Sequence, residues 1–494
     1  MPDSDAHKHP RALAYLLFAE TWERFSFYGM KALLVLYLTN SFMFSDKTAY
    51  AIYGSYTSLV YATPVLGGLL ADRLLGFRKA VLIGGVLMAL GHFAMAVQNL
   101  QVFYFALGLL ICGNGFFKPN ISSMIGRLYA DGDPRRDSAF TIFYMGINLG
   151  GFLSPIACGY LGTRFGWHWG FGLAGIGMLL GLAVFWHGRA HLAGLADPPV
   201  RSNAGRAALA GLSAEACVYL GTLVAVGVAW QLVQHNALVG SLLIVFGIVV
   251  LVGLLVYLFR LPEKVARDRL GVALLLTLVS VVFWSFFEQA GTSMSLFTER
   301  NVNRWLFGTL LATPQFQSVN ALFILLFAPV FSVLWLYLAR RKFEPNTPLK
   351  FGLGVLQLGL GFIALYVGAA SARATGIVPM FWLILAYFLH STGELCLSPI
   401  GLSMITKLAP KGITGIMMGT WFLASSFAQY MASLIAQLTG VKEGGAAASA
   451  LPNPRDTVMV YGSVFGTIGW VALGVGVLVV VISPLIARRM HGVH

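Results

Sequence analysis

Six residues that carry a charge or an aromatic ring recur at helical spacing in the first apolar stretch of the chain. Their positions follow the series i, i+3, i+4, i+7, i+8 and i+11, so one helix places them on a single face. They are Glu20, Glu23, Arg24, Phe27, Tyr28 and Lys31. The opposite face is apolar, with Phe18, Phe25, Leu33 and Val35. Because lipid cannot solvate ions, the stripe is predicted to line one wall of a polar cavity in a membrane protein.

Three more ionisable residues, Lys118, Glu288 and Glu394, lie inside later apolar stretches. With the charged residues of the first stretch they make four acids and three bases. Placing each in lipid costs about 3 kcal/mol, and the sum exceeds the roughly 5–15 kcal/mol stability of a typical protein. These residues are therefore predicted to be paired, hydrated or protonated.

The composition places these charges in a membrane protein. The chain has 494 residues, of which 57% are hydrophobic and 11% are charged, against about 25% charged residues in globular proteins. Apolar runs near the ~20 residues that cross a bilayer recur along the chain. They predict an all-α, polytopic membrane protein with about fourteen transmembrane helices. The predicted spans are 12–40, 50–71, 80–98, 102–128, 138–162, 168–187, 213–232, 237–259, 270–298, 315–339, 350–369, 378–406, 413–439 and 458–487.

The basic residues, which give a net charge of +14, are concentrated in alternate connections between these spans. In a soluble protein such a charge suggests nucleic acid, but the alternation predicts cytoplasmic loops and two cytoplasmic termini. No nucleic-acid partner is expected. The four cysteines lack ligand spacing, so no metal site or cofactor is predicted. The sequence has no phosphate-binding loop and no hydrolase pattern, which argues against a nucleotide-driven pump and against a membrane-embedded enzyme.

The stretch 189–212 is rich in Ala, Gly, Pro and Arg and predicts the longest cytoplasmic connection. The two spans after it are nearly free of ionisable residues and are interpreted as an inserted hairpin. The predicted domains are a six-helix bundle over 1–190, a linker with the hairpin over 191–266 and a second six-helix bundle over 267–494. The run 67–79 resembles the loop signature of the major facilitator superfamily, and this resemblance implies that fold.

Opposite charges fall on corresponding helices of the two predicted halves. With the inserted hairpin set aside, the span 270–298 counts as helix 7 and the span 378–406 as helix 10. Lys31 on helix 1 then corresponds to Glu288 on helix 7, and Lys118 on helix 4 corresponds to Glu394 on helix 10. We interpret Lys31–Glu288 as an outer gate and Lys118–Glu394 as a central pair, each broken by protonation or by ligand. Static ion pairs between the halves are the alternative. A proline follows both Lys118 and Glu394 within five residues, which predicts irregular helices at these sites.

Four stretches of the chain carry a family resemblance. They are Glu20-x-x-Glu23-Arg24-Phe25-x-x-Tyr28-Gly29, the stretch 113–120, Phe143-Tyr144-x-x-Ile147-Asn148-x-Gly150-Gly151 and Phe316-Gln317-Ser318-x-Asn320. They resemble the proton-coupled oligopeptide transporter family, in its bacterial branch. The resemblance implies a symporter of the cell inner membrane that imports di- and tripeptides with protons by alternating access. The implied partners are the peptide, protons and the lipid bilayer, and the oligomeric state stays open.

The resemblance also implies site residues. The proton-coupling residues would be Glu20, Glu23, Arg24, Lys118 and Glu288. The peptide-binding residues would be Arg24, Tyr28, Lys31, Tyr61, Lys118, Asn148, Trp284, Asn320, Glu394, Ser398 and Trp421. Within this set, Arg24, Lys31 and Lys118 would be available to the peptide carboxylate. The amino end would be held by Asn148, Asn320 and Glu394.

Three positions depart from the family pattern. Phe27 replaces a common second tyrosine, Lys31 replaces a common arginine, and Gly54 stands where animal members have a histidine. Proton coupling is therefore expected to rest on carboxylates. The alternatives are the same fold carrying another solute such as nitrate, the same fold exporting drugs, and a substrate-sensing receptor.

Overall fold

The computed structural model describes residues 9–130, 133, 135–192, 194, 207–209, 212–410, 412–441 and 452–493. These residues are mostly helical. The α-helices are α1 (Arg11–Asn40), α2 (Asp46–Ala62), α3 (Pro64–Leu70), α4 (Phe77–Met95), α5 (Leu100–Arg127), α6 (Arg135–Arg164), α7 (Trp167–His187), α8 (Ala214–Gln234), α9 (Asn236–Arg260), α10 (Lys264–Phe287), α11 (Ser293–Asn301), α12 (Ser318–Arg340), α13 (Thr347–Ser371), α14 (Met380–Leu408), α15 (Thr414–Gln437) and α16 (Pro454–Arg489). Two short antiparallel hairpins pair β1 (Ala207–Leu209) with β2 (Leu212–Ser213) and β3 (Trp305–Leu306) with β4 (Thr309–Leu310).

The predicted all-α architecture is confirmed, since every predicted span overlaps a helix. Within the described residues, 12 helical segments are long and apolar enough to cross a membrane. The long helices outside that set are α1, which carries the charged stripe, and α15, which contains several serine, threonine and glutamine residues. The count of fourteen transmembrane helices and the cytoplasmic position of both termini stay predictions.

Two of the predicted spans are interrupted helices. The second span consists of α2, α3 and a π-helical turn at Ala71–Leu75, and α3 begins at Pro64, whose missing N–H cannot continue α2. The ninth span, predicted at 270–298, consists of α10, a 3-10 turn at Glu288–Gly291 and α11. Glu288 therefore lies where regular α-helical bonding stops.

The prediction of irregular helices at Lys118 and Glu394 is wrong. Both α5 and α14 run as continuous α-helices through these residues. In α5 the side-chain amide of Asn120 donates to the carbonyl oxygen of Phe116 over 2.6 Å. This bond supports the turn that contains Pro119, and the helix continues.

The chain divides into two compact units. The first unit comprises 1–33 and 59–235, and the second comprises 34–58 and 236–494. In the first unit α4 packs on α5 and α7, and α5 packs on α8. In the second unit α13 packs on α14 and α16, while α15 packs on α10 and α9.

The two helices of the predicted inserted hairpin fall in different units. A Cβ atom at Gly108 of α5 would lie 2.8 Å from the carbonyl oxygen of Val226 in α8. A Cβ atom at Gly240 of α9 would lie 2.0 Å from the hydroxyl oxygen of Tyr430 in α15. Each hairpin helix thus packs closely on the unit to which it belongs. The predicted division into 1–190, 191–266 and 267–494 groups these helices differently and stays a prediction.

Candidate functional site

The charged stripe of α1 is shielded from the surroundings. Glu23 is 0% exposed, Glu20 is 2% exposed and Arg24 is 3% exposed. The opposite face packs against helices of the same unit, because Phe25 covers Gly177 of α7. Leu33 packs in the same way on Gly162 and Gly170, of α6 and α7. Phe18 is the member of that face that stays open, at 40% exposure.

Arg24 is shared by two carboxylates of the stripe. Its Nη2 atom donates to Oε1 of Glu23 over 2.7 Å, and its Nε atom donates to Oε2 of the same group. The Nε atom also lies 3.3 Å from Oε1 of Glu20. Asn114 of α5 donates through Nδ2 to Oε1 of Glu23 over 3.4 Å. These four residues form what we call the Arg24 cluster.

Two oxygen atoms of the Arg24 cluster accept no hydrogen bond within the described part of the chain. They are Oε2 of Glu20 and Oδ1 of Asn114, and both are buried. Buried acceptors without a donor are destabilising. The cluster therefore has room for one proton or for the donor group of a ligand.

Small residues in the stretch 143–151 bring α6 close to this cluster. A Cβ atom at Gly150 would lie 2.4 Å from the carbonyl oxygen of Thr21 and 3.0 Å from Cβ of Arg24. Only a glycine permits this approach. Asn148, two residues earlier, donates through Nδ2 to the carbonyl oxygen of Tyr144 over 2.9 Å. Its amide nitrogen is thus bound within its own helix.

Lys118 lies over an aromatic ring. Its Nζ atom is 4.3 Å from the ring centroid of Tyr61, a distance typical of a cation–π contact. Glycines position this part of α5, because a Cβ atom at Gly113 would lie 2.8 Å from the carbonyl oxygen of Gly84 in α4. Asn114 precedes Lys118 by four residues, so both side chains share one face of α5.

The aromatic residues of α1 lie against the same guanidinium group. The Cζ atom of Arg24 is 5.1 Å from the ring centroid of Phe27 and 5.9 Å from that of Tyr28. Phe27 therefore keeps the cation–π contact that a tyrosine would make, and it lacks only the hydroxyl group. Lys31 completes the stripe one turn later and is 7% exposed.

In the second unit, the side chains of Asn320 and Glu394 are in contact. Asn320 of α12 donates through Nδ2 to Oε2 of Glu394 over 3.2 Å and to Oγ of Ser391 over 2.9 Å. The approach of α13 to α14 again needs glycine, because a Cβ atom at Gly393 would lie 2.7 Å from the carbonyl oxygen of Gly354. The Asn320 amide thus orients the Glu394 carboxylate through Oε2 and leaves Oε1 available to another hydrogen-bond donor.

The remaining predicted residues of the second unit are more dispersed. Glu288 is 8% exposed and follows the last turn of α10. The Trp284 ring lies edge-to-face with that of Phe287, with centroids 5.2 Å apart and an angle of 77° between the ring planes. The Trp421 ring covers α14 at Gly401, where an added Cβ atom would lie 2.6 Å from the ring. Ser398 of α14 is half-buried.

The two predicted gate pairs, Lys31–Glu288 and Lys118–Glu394, each join residues of different units and stay predictions. Sequence reasoning overlooked two polar residues at the site, Asn114 and Ser391. The signal was present, because each precedes a predicted charge by three or four residues on the same helix.

A second buried ion pair was not predicted from the sequence, in which its two members lie 254 residues apart. Arg300 of α11 donates through Nη1 and Nη2 to both oxygens of Asp46 in α2, over 2.7 and 2.8 Å. Nη1 also donates to the Tyr461 hydroxyl over 2.8 Å, and the backbone N–H of Val441 donates to Asp46 over 3.0 Å. The pair fastens α2 to α11 and α16 within the second unit.

The absence of a histidine in helix 2 has a steric cause. A Cβ atom at Gly54 would lie 2.2 Å from both Cβ and Oγ of Ser433 in α15. No side chain fits there without displacing α15.

The family follows from comparison with known proteins. The family model described as "POT family" matches residues 78–450 of the chain. The chain belongs to the POT family. Peptide transporter YePEPT of Yersinia enterocolitica is 38% identical over 451 residues, covering 86% of this chain and 87% of the relative. Dipeptide and tripeptide permease A of Erwinia pyrifoliae is 33% identical over 500 residues, covering 98% of each.

Solved POT structures share the fold. The crystal structure of a peptide transporter POT in complex with sulfate superposes with a TM-score of 0.82 at 36% identity. It covers 98% of this chain and 97% of that chain. A POT family transporter in complex with a thioalcohol conjugated peptide superposes with a TM-score of 0.82 at 32% identity, covering 98% and 99%. The family resemblance of the four stretches is thus confirmed, and these relatives are transporters rather than enzymes.

Proposed function

We propose that this POT-family protein is a proton-coupled symporter that imports di- and tripeptides across the cell inner membrane by alternating access. The names of the two curated relatives and the peptide bound in a homologous structure support the substrate class. The observation that carries the proton coupling is the Arg24 cluster, in which one guanidinium group is shared by two carboxylates no more than 2% exposed.

Protonation of Glu20 or Glu23 would withdraw one anion from Arg24. The guanidinium group would then be available to the carboxylate of a peptide, with Lys31 and Lys118 as further cations. A membrane potential of 100 mV is worth about 2.3 kcal/mol per charge. This corresponds to roughly fifty-fold accumulation for one net charge, at 1.4 kcal/mol per tenfold change.

The amino end of the peptide requires an anion and hydrogen-bond acceptors. Glu394, oriented by Asn320, offers the anion, and Asn148 would add a contact. The pocket for the peptide's side chains would be lined by Tyr28, Tyr61, Trp284, Trp421 and Ser398. Such a site recognises the zwitterionic backbone, and it would therefore accept many side chains.

The gates in this proposal are Lys31–Glu288 and Lys118–Glu394. Protonation of Glu288 would release Lys31 and favour loading from outside, and release of proton and peptide would restore both pairs. A Lys31→Glu, Glu288→Lys exchange tests the assignment. We expect it to abolish proton-driven uptake; full uptake by the exchanged protein would identify static ion pairs instead.

The main experiment is uptake of labelled dialanine into proteoliposomes, with and without an inward proton gradient. Glu23→Gln is expected to abolish gradient-driven accumulation and to keep peptide exchange, because the binding groups remain while the titrating group is lost. Glu215→Gln is the matched control. It removes a carboxylate of the same unit that lies 2.7 Å from Lys79 at the surface, and it should accumulate dialanine like the wild type.

The uptake experiment also separates the alternatives. Proton flux with nitrate or a drug but no response to dialanine would assign another solute to the same fold. Saturable dialanine binding without transport, in protein shown to be folded by a cooperative unfolding transition, would identify a receptor. Gradient-driven accumulation by Glu23→Gln equal to wild type would remove Glu23 from the coupling mechanism and leave Glu20 as the titrating group of α1.

A further inference from the structure

A cleft with a cavity volume of about 680 Å³ lies in the second unit, where the end of α9, the start of α10 and the end of α16 meet. One wall is apolar. It includes Leu258, Phe259, Val272, Leu275, Ile482 and Ile486. The rim is basic, with Arg267 on α10 and Arg488 and Arg489 on α16. Apolar surface and three cations therefore border one cavity.

The cations of this rim are available. Within the described part of the chain, the guanidinium groups of Arg267, Arg488 and Arg489 form no hydrogen bond and no ion pair, and all three residues are exposed. The single acid of the cleft, Asp268, is already engaged by Nε2 of His491 over 2.9 Å. The rim thus keeps a net positive charge.

The cleft is also firmly built. Arg269 donates through Nε to the carbonyl oxygen of Met490 over 3.2 Å and through Nη2 to that of His491 over 3.0 Å. Together with the Asp268–His491 contact, these bonds hold the end of α16 against the start of α10. The three arginine side chains therefore project from two helices whose relative position is fixed.

The position of the cleft at the ends of apolar helices indicates that it faces the lipid headgroups of a membrane. It lies at the ends of two adjacent apolar segments, since α9 ends at Arg260 and α10 begins at Lys264. Phe259, in the apolar wall, is 74% exposed. An apolar surface that ends in a ring of cations is the pattern found where a membrane span reaches the lipid headgroups.

We propose that this cleft binds an anionic phospholipid, with its phosphate on Arg267, Arg488 and Arg489 and an acyl chain along the apolar wall. Arginine suits this role because its planar fork pairs with phosphate through two hydrogen bonds. Basic pockets between transmembrane helices bind such headgroups. A peptide fits less well, because the one carboxylate that could hold its amino group is occupied by His491.

The test is native mass spectrometry of the full-length protein titrated with phosphatidylglycerol or with phosphatidylcholine of the same acyl chains. The cleft variant is R267Q/R488Q/R489Q, and the control is R340Q/R341Q/K342Q, which removes three exposed cations at the end of α12. Each basic residue contributes about 1 kcal/mol towards an anionic lipid. The cleft variant should therefore bind phosphatidylglycerol roughly 150-fold more weakly, which is about 3 kcal/mol at 1.4 kcal/mol per tenfold change.

The control should bind phosphatidylglycerol within threefold of the wild type. Equal loss in both triple variants would overturn the proposal in favour of general surface charge. Equal retention of phosphatidylcholine would overturn it as well, since the headgroup would then not matter. Displacement of the lipid by inorganic phosphate at the same concentration would show a simple anion site without an acyl-chain contact.

A second variant tests the apolar wall and leaves every arginine intact. A Cβ atom at Gly271 would lie 3.7 Å from Cδ1 of Leu258, an ordinary contact, so Gly271→Leu extends into the cleft without displacing the backbone. It should lower phosphatidylglycerol retention at an unchanged unfolding temperature, and wild-type retention would contradict the acyl-chain contact. Lipid retention does not depend on transport, so its failure and a failure of the proposed function are separate results.

Discussion

Replacing Asp46 with asparagine removes one partner of the buried ion pair that joins α2 to α11. Asp46 is 0% exposed and the Arg300 side chain is 3% exposed. Both oxygens of Asp46 accept hydrogen bonds, from Arg300 and from the backbone N–H of Val441. Either orientation of the asparagine amide therefore places its NH2 group against a donor. The substitution also leaves the guanidinium group of Arg300 buried without a counter-ion.

The magnitude follows from this burial. Breaking a buried ion pair by removing one partner costs about 3–5 kcal/mol, because the other charge stays desolvated. At about 2.1 cal/mol/K per residue, the unfolding entropy of a chain of 494 residues is about 1 kcal/mol/K, so 1 kcal/mol shifts the midpoint of thermal unfolding by about 1 °C. Asp46→Asn is thus expected to lower the unfolding temperature by roughly 3–5 °C. An added Arg300→Met should recover part of this loss, since it removes the buried cation that has lost its counter-ion.

The assay is thermal unfolding in one detergent, followed by intrinsic fluorescence. Asp456→Asn is the matched control, because Asp456 occupies the first turn of α16 as Asp46 occupies that of α2, but it is exposed. Its loss should cost only the helix-dipole term of about 0.3–1 kcal/mol. Equal shifts in the two variants, or an Arg300→Met addition that deepens the loss, would refute the reasoning.

Two close helix contacts give further predictions. Gly67→Ala places a Cβ atom 2.0 Å from the carbonyl oxygen of Gly115. It should cost about 1–3 kcal/mol in unfolding free energy, whereas Gly221→Ala, with nothing within 4 Å, should unfold like the wild type. Gly54→His and Gly54→Ser should both lower the unfolding temperature, because the Cβ atom alone meets Ser433 at 2.2 Å; a serine variant with wild-type stability would contradict this.

The parts of the site that could be predicted from the sequence depend on local periodicity. The spacing of Glu20 and Arg24 places them on one helix face whatever the rest of the chain does, and the structure brings them within 3.3 Å. The contact of Asn320 with Glu394 spans 74 residues, and the family resemblance gave only a shared role for these two residues, at the amino end of the peptide. The helix spans were predictable for the same local reason, because a bilayer requires apolar runs of fixed length.

The parts that could not be predicted depend on tertiary contacts. Asp46 and Arg300 are 254 residues apart. Each lies just outside a predicted span, so the local sequence predicts only a charge in a connecting loop. The helix break at Glu288 could not be predicted from a proline, because none lies next to it in the sequence. Its nearest signal is Gly291, where a Cβ atom would lie 2.0 Å from the hydroxyl of Tyr53. The irregular turn therefore follows from close packing around α11 rather than from local helix propensity.

The glycines beside the buried charges show why a local interpretation failed there. Gly113 precedes Lys118 on α5 and meets the backbone of Gly84 on the preceding helix, and Gly393 precedes Glu394 on α14 and meets Gly354 on its preceding helix. In both units, glycine therefore sets how closely neighbouring helices approach, and the charged side chain projects from that rigid crossing. A charge held by packed, continuous helices keeps its position while its partners change. This rigidity suits the role proposed for Lys118 and Glu394, in which each group would bind and release a proton or a peptide in every transport cycle.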